Sequence, residues 1–186
     1  MIIIIFVAIL AILIGISAFL ISVYNRLARS QVLVHEGWSG IGTFLQQRND
    51  LLPNLVEVVK GYAGHENKTL TDVIKARNES VNAMTPEAQV EAAKHMGQAL
   101  FNFKSLTEQY PALQANQNFI RLMNEVDEME DEINQARRYY NGTVREFNTT
   151  LAVFPNNVLA GMFNFKAATF FQEETAAQKA PAIKFS

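Results

Sequence analysis

The side chains best suited to chemistry in this sequence are three histidines, His35, His65 and His95, and the acidic run "EVDEMEDE" from Glu125 to Glu132. In a helical bundle, a di-iron carboxylate centre needs two Glu-x-x-His pairs plus two further inward glutamates. The positions three residues before the histidines hold Val32, Tyr62 and Ala92, so no such pair exists. His65-Glu66 lacks the second histidine of a zincin helix. The chain has no cysteine to act as a thiolate, and no glycine-rich loop follows a strand to cradle phosphate. The expectation is no catalytic residue, no metal and no cofactor. The six carboxylates Glu125, Asp127, Glu128, Glu130, Asp131 and Glu132 read as a solvated face helped by Arg137 and Arg138, or as a face from which one carboxylate turns inward.

An inward carboxylate would have a waiting partner. From Val34 the positions Trp38, Ile41, Leu45, Arg48, Leu52, Leu55, Val59 and Tyr62 advance in alternating steps of four and three. That is a heptad seam, the mark of one helix packed along another. Arg48 sits where an apolar residue is due. Buried there, its guanidinium needs a carboxylate, because an unpaired buried charge costs several kcal/mol; Glu130 is the first candidate. Five residues on, Pro53 removes a helix hydrogen bond and crowds the carbonyl of Asn49. Asn49 and Asn54 flank it and are the candidates to satisfy the freed backbone groups. A charged pin and a proline so close together suggest an architectural device.

The helices that must position these residues follow from period and punctuation. The seam helix ends near Gly61, Gly64 and His65. A second helix fits Glu66 to Ala83, with Leu70, Val73, Ile74 and Val81 on one side. Thr85-Pro86 opens a third, the threonine capping and the proline giving up only an N–H that would be orphaned anyway. Tyr110-Pro111 stops it. A fourth runs from about Asn116 to before Pro155 on the seam Phe119, Leu122, Val126, Met129, Ile133, Ala136, Tyr140, Val144, Phe147 and Leu151. Nothing alternates with period two. The fold class expected is all-α: an N-terminal transmembrane helix followed by an antiparallel bundle of about four helices. Gly37, Gly40 and Gly42 each weaken the first helix by about 1 kcal/mol relative to alanine, so a neighbour is expected to pack close there.

Ile2 to Val23 carries no charge. As a helix those residues span about 33 Å, enough to cross a hydrocarbon core of roughly 30 Å. A signal peptide would want a basic start, a shorter apolar core and a cleavage site, so the reading is an uncleaved anchor. Arg26 and Arg29 follow it, which by the positive-inside rule places the N-terminus outside and the remainder in the cytoplasm; a domain on the opposite side is the alternative. The organisation expected is an anchor at 1–25, a bundle at 26–154 and a phenylalanine-rich tail at 155–186. The tail, with Phe163, Phe165, Phe170 and Phe171, reads as a short amphipathic helix followed by an extended arm. With Gly37 and Gly40 it is the expected contact surface. A net charge of −2 argues against a nucleic-acid partner. Asn-x-Ser/Thr triplets at Asn67, Asn78, Asn141 and Asn148 fall in helical patterns and read as chance matches.

Taken together, "WSGIGTFLQQRNDLLPNLVEVVKGYAGHE", "YPALQANQNF", "EDEINQARRYYNGTVREFN", "FPNNVLAGMFNFKAATFF" and the closing "AIKF" resemble the motifs of the LemA family, in order, over nearly the whole chain after the anchor. The resemblance implies a bacterial inner-membrane protein with one N-terminal span, a helical bundle, and no established enzymatic activity or cofactor. It carries over to Trp38, Arg48, Asp50, Pro53, Asn54, Lys60, Gly61, Tyr62, His65, Glu66, Glu130, Arg137, Tyr140 and Asn141. Gly37, Gly40, Gly42 and Gln47 depart from the family's usual residues. The function expected is a membrane-anchored scaffold without catalysis, which binds the bilayer and forms homo-oligomers or binds a membrane-protein partner. The alternative is an accessory regulator of a membrane metalloprotease or sensor kinase in envelope stress.

Overall fold

The structure, a computed structural model, describes residues 1–63 and 68–171. Among the described residues six helices follow in order: α1 (Ile2–Ala63), α2 (Lys68–Asn82), α3 (Pro86–Thr107), α4 (Pro111–Gln114), α5 (Gln117–Ala152) and α6 (Asn156–Met162). No strand occurs among the described residues. The chain is all-α, a helical bundle with one long apolar N-terminal helix.

Helix α1 runs without a break from the apolar stretch into the heptad seam, with Pro53 inside it. Thr85 caps α3 as its spacing predicts: its hydroxyl accepts from the Ala88 amide at 3.2 Å, with Pro86 in the first turn. Pro111 starts the single turn of α4, whose end is followed by the Asn116 side chain accepting from the amides of Asn118 and Phe119 at 2.9 and 3.2 Å. That asparagine is the cap that opens α5.

The described residues group into two compact units. One comprises 1–43 and 132–170, the other 44–131 with Phe171. In the second, one continuous core takes Leu52, Leu55, Val56 and Val59 from α1, Leu70 and Val73 from α2, Met96, Leu100 and Phe103 from α3, Leu113 from α4 and Phe119, Leu122 and Val126 from α5. There α1 and α5 are antiparallel: Tyr62 meets Asn116, while Arg48 meets Glu130. On α2 the buried face turns out to include Ala76 and Ser80, and Val81 is exposed, because the face follows the true helical period and not the run of large residues.

In the first unit, Val34, Ile41, Ile133, Tyr140, Val144 and Phe147 are buried, and a smaller cluster joins Val23 and Leu27 of α1 to Leu159 and Ala160 of α6. The close neighbour expected at the glycines is present at Gly37 and absent at Gly40 and Gly42. A Cβ on Gly37 would meet the Tyr140 Cα at 3.2 Å, whereas Gly40 and Gly42 have nothing within 4 Å. The three residues point in different directions around α1, and only one faces α5. Gly37 is therefore occupied by the chain's own packing.

Past Ala152 the expected tail starts as the short helix α6, preceded by a cis Phe154–Pro155 peptide. Asn164 adopts φ 56°, the Asn164 amide donates to the Gly161 carbonyl at 3.4 Å, and the Phe165 amide donates to the Ala160 carbonyl at 2.9 Å. This paired arrangement is the Schellman motif, in which asparagine is a tolerated left-handed residue. The chain then returns along α5. The Asn148 side chain exchanges two 2.9 Å hydrogen bonds with the backbone of Ala168, and the Tyr140 hydroxyl donates to the Thr169 carbonyl at 2.7 Å. The Phe171 side chain is 2% exposed, so it is not a contact surface; Phe165 is half-buried against Tyr24. Phe163 and Phe170 stay exposed. The expected arm beyond Phe171 lies outside the described residues.

Candidate functional site

Arg48 is the largest fully buried side chain among the described residues, 1% exposed. Its Nη1 donates to Glu130 Oε1 on α5. Its Nε and Nη2 are buried with no hydrogen-bond partner. Glu130 is in a different position: its side chain is 35% exposed. It lines a cleft of about 410 Å³ with Gly97, Leu100, Phe101, Lys104, Asp127 and Asp131. The pair thus has a dry end and a wet end. Of the acidic run, Glu125 pairs with Arg121 at 2.7 Å and Asp127 with Lys104 at 2.6 Å, both at the surface. Such exposed pairs add little stability.

Beside the pair sits the answer to Pro53. The Asn49 carbonyl is the one a proline four residues later cannot donate to. Arg77 of α2 supplies the missing donor, its Nε lying 3.3 Å from Asn49 O. The Asn49 side chain donates to Ser80 Oγ at 3.0 Å. Asn49 and Asn54 do not satisfy the freed backbone group: the Asn49 amide is spent on Ser80, Asn54 is exposed, and a guanidinium on a neighbouring helix reaches the carbonyl instead. Asp50 is exposed and accepts from Gln46 at 2.9 Å, and Lys60 lies 3.6 Å from Glu57. Asn54 is exposed, and Gly61 lies in the last turn of α1 with nothing within 4 Å of its Cβ position. In the first unit, Trp38 packs on Tyr140 with ring centroids 5.5 Å apart, and Arg137 and Asn141 are half-buried on α5. His65 and Glu66 lie outside the described residues.

Two features escaped the sequence. His95 bridges two helices' carboxylates, with Nδ1 2.7 Å from Glu79 and Nε2 3.2 Å from Glu91. A Glu four residues before a His was the only visible signal. Asn148 is the other: it ties down the segment after α6. Among the described residues no group of three or more His, Cys, Asp or Glu side chains is placed to hold a metal.

These motif residues lie inside the stretch, residues 37–185, that matches the model of the LemA family. The chain belongs to the LemA family. It is similar to Magnetosome protein MamQ 2 of Paramagnetospirillum magneticum, at 27% identity over 74% of this chain and 60% of that protein. It is also similar to Magnetosome protein MamQ of Magnetospirillum gryphiswaldense, at 24% identity with the same shares, and to Protein LemA of Metamycoplasma hominis, at 26% identity over 80% of this chain and 68% of that protein. The chain spans 60% of the length of the magnetosome relatives it matches. The apolar stretch of α1 precedes the matched LemA region. It is exposed along nearly its whole length and is long and apolar enough to cross a membrane, a candidate anchor.

Proposed function

We propose that this LemA-family chain is a membrane-tethered scaffold, which joins copies of itself or a membrane-protein partner and catalyses nothing. The observation that carries the reading is helix α1: apolar side chains from Ile2 to Ile21 stand exposed on a helix that continues unbroken into a packed core. Exposed apolar surface of that extent needs a nonaqueous environment. Arg48, Glu130, Pro53 and Arg77 then serve as architecture, fixing which helices meet and in what register. Gly40 on α1 and the exposed Phe170 are the positions left open for contact with a second copy. Tethering confines copies to a plane and raises their effective concentration.

The full chain in detergent should run well above monomer mass by light scattering. A monodisperse monomer would favour the accessory regulator of a membrane metalloprotease or sensor kinase. Arg26 and Arg29 support a bacterial inner-membrane protein with its N-terminus outside and its bundle in the cytoplasm. A Met84→Cys variant should then resist an impermeant maleimide in intact spheroplasts and react after lysis. Labelling before lysis would reverse the orientation.

A further inference from the structure

Helix α6 is apolar on two sides, and the chain's own packing uses only one. Asn156, Leu159 and Ala160 are buried, and the latter two pack on Val23 and Leu27 of α1. Val158 and Met162, one turn apart on the other side, are exposed, with Met162 at 72%. Phe154 just before the helix is 82% exposed, and Val153 and Phe163 are exposed too. A short helix with a second, uncovered apolar side places that side against a partner or in contact with lipid. Its place decides between these. Val23 closes the apolar run of α1, and Tyr24, the next residue, holds Phe163 and Phe165 with ring centroids 5.0 and 5.8 Å away. Aromatic residues gather where hydrocarbon meets headgroups. At the same level, α1 and α5 enclose a cleft of about 590 Å³ lined by Ile21, Ser22, Arg26, Arg29 and Glu146 among others. Its two arginines match lipid phosphate in charge.

We propose that the corner between α5 and α6, from Val153 to Phe163, is a second membrane contact: its apolar side lies in the headgroup–acyl boundary of the leaflet that α1 leaves, with Arg26 and Arg29 at the phosphates. This rests on the reading of α1 as a bilayer anchor. It converts a single tether, free to swivel about its axis, into a two-point attachment. It also separates the surface that meets lipid from the surface left for copies.

The absence of cysteine makes site-directed spin labelling clean. Single variants Phe154→Cys, Met162→Cys, Ile12→Cys and Met84→Cys of the full chain are labelled and reconstituted in vesicles of phosphatidylethanolamine and phosphatidylglycerol. Collisions with oxygen and with a water-soluble nickel chelate are then measured. Labels at 154 and 162 should show a several-fold higher oxygen-to-nickel ratio than the label at 84, which is water-exposed, and a lower one than the label at 12. A ratio at 154 and 162 equal to that at 84 would overturn the proposal. So would shielding from both relaxants with spin–spin broadening that vanishes on dilution with unlabelled protein, which would make the corner a contact between copies. If the label at 12 itself reads as water-exposed, the anchor reading fails first, and the corner with it.

Discussion

The Arg48–Glu130 pair should respond asymmetrically to removal of its two ends. Breaking a buried pair costs about 3–5 kcal/mol when it leaves a charge stranded, and replacing the buried ion by an apolar residue of similar length is often close to neutral. Arg48 is 1% exposed and among the described residues has only Glu130 as a hydrogen-bonded partner, so Glu130→Ala strands a guanidinium whose Nε and Nη2 already lack partners. Glu130 is 35% exposed and opens on a cleft, so Arg48→Met leaves a carboxylate that water can reach. Glu130 is itself only partly desolvated in the pair, which places Glu130→Ala near the lower bound, about 3 kcal/mol. Arg48→Met keeps the methylene packing and should stay within about 1 kcal/mol. In a chain of this size 1 kcal/mol moves the melting temperature by about 2–4 °C. Circular dichroism melts of the full chain in detergent should therefore fall by about 6–12 °C for Glu130→Ala and by no more than about 4 °C for Arg48→Met. Equal shifts, or a larger one for Arg48→Met, would refute the picture of one dry and one wet end.

Three further outcomes are expected from the same melts. Arg77→Ala should destabilise by about 1–2 kcal/mol, and by less in a Pro53→Ala background, where residue 53 regains the N–H that Asn49 O lacks; an unchanged cost in the double variant would show that Arg77 does not stand in for that donor. Gly37→Ala should cost about 1–3 kcal/mol, because its Cβ meets backbone at 3.2 Å, while Gly40→Ala and Gly42→Ala should be neutral or stabilise by up to about 1 kcal/mol. Asn164→Gly should be tolerated, whereas Asn164→Val, forced to the same left-handed φ of 56°, should lose about 1–2 kcal/mol.

What could be read from the sequence was whatever repeats. Val34, Ile41, Leu45, Leu52, Leu55 and Val59 recur with the helical period and are buried, and the misfit at Arg48 stood out against that regular background. Thr85-Pro86 was legible because a cap is a local pattern of two residues. What stayed hidden depends on where a second segment passes. Composition marks Gly37, Gly40 and Gly42 alike, but only the course of α5 makes Gly37 the tight one. Phenylalanine content does not tell Phe171, buried, from Phe170, exposed. Pro53 marks the Asn49 carbonyl as freed, but nothing in the residue types names its donor, so Arg77 on Asn49 could not be foreseen. Asn148 likewise looked like a chance triplet, yet its amide pairs with Ala168 as a strand edge would.

The two fastenings around residue 48 are separated in time as well as space. Arg77 and Ser80 lie 28 and 31 residues beyond Asn49, while Glu130 lies 82 residues beyond Arg48. At about 5–20 residues per second of synthesis, the first fastening can close within seconds of α2 leaving the ribosome, and the second must wait roughly 4–16 s from the emergence of Arg48. Throughout that interval the growing chain displays an apolar stripe with a lone positive charge in its middle. Helices α2 and α3, whose residues share the core with Leu52, Leu55, Val56 and Val59, are complete before Glu130 has been made, so Arg48 receives its counter-ion last.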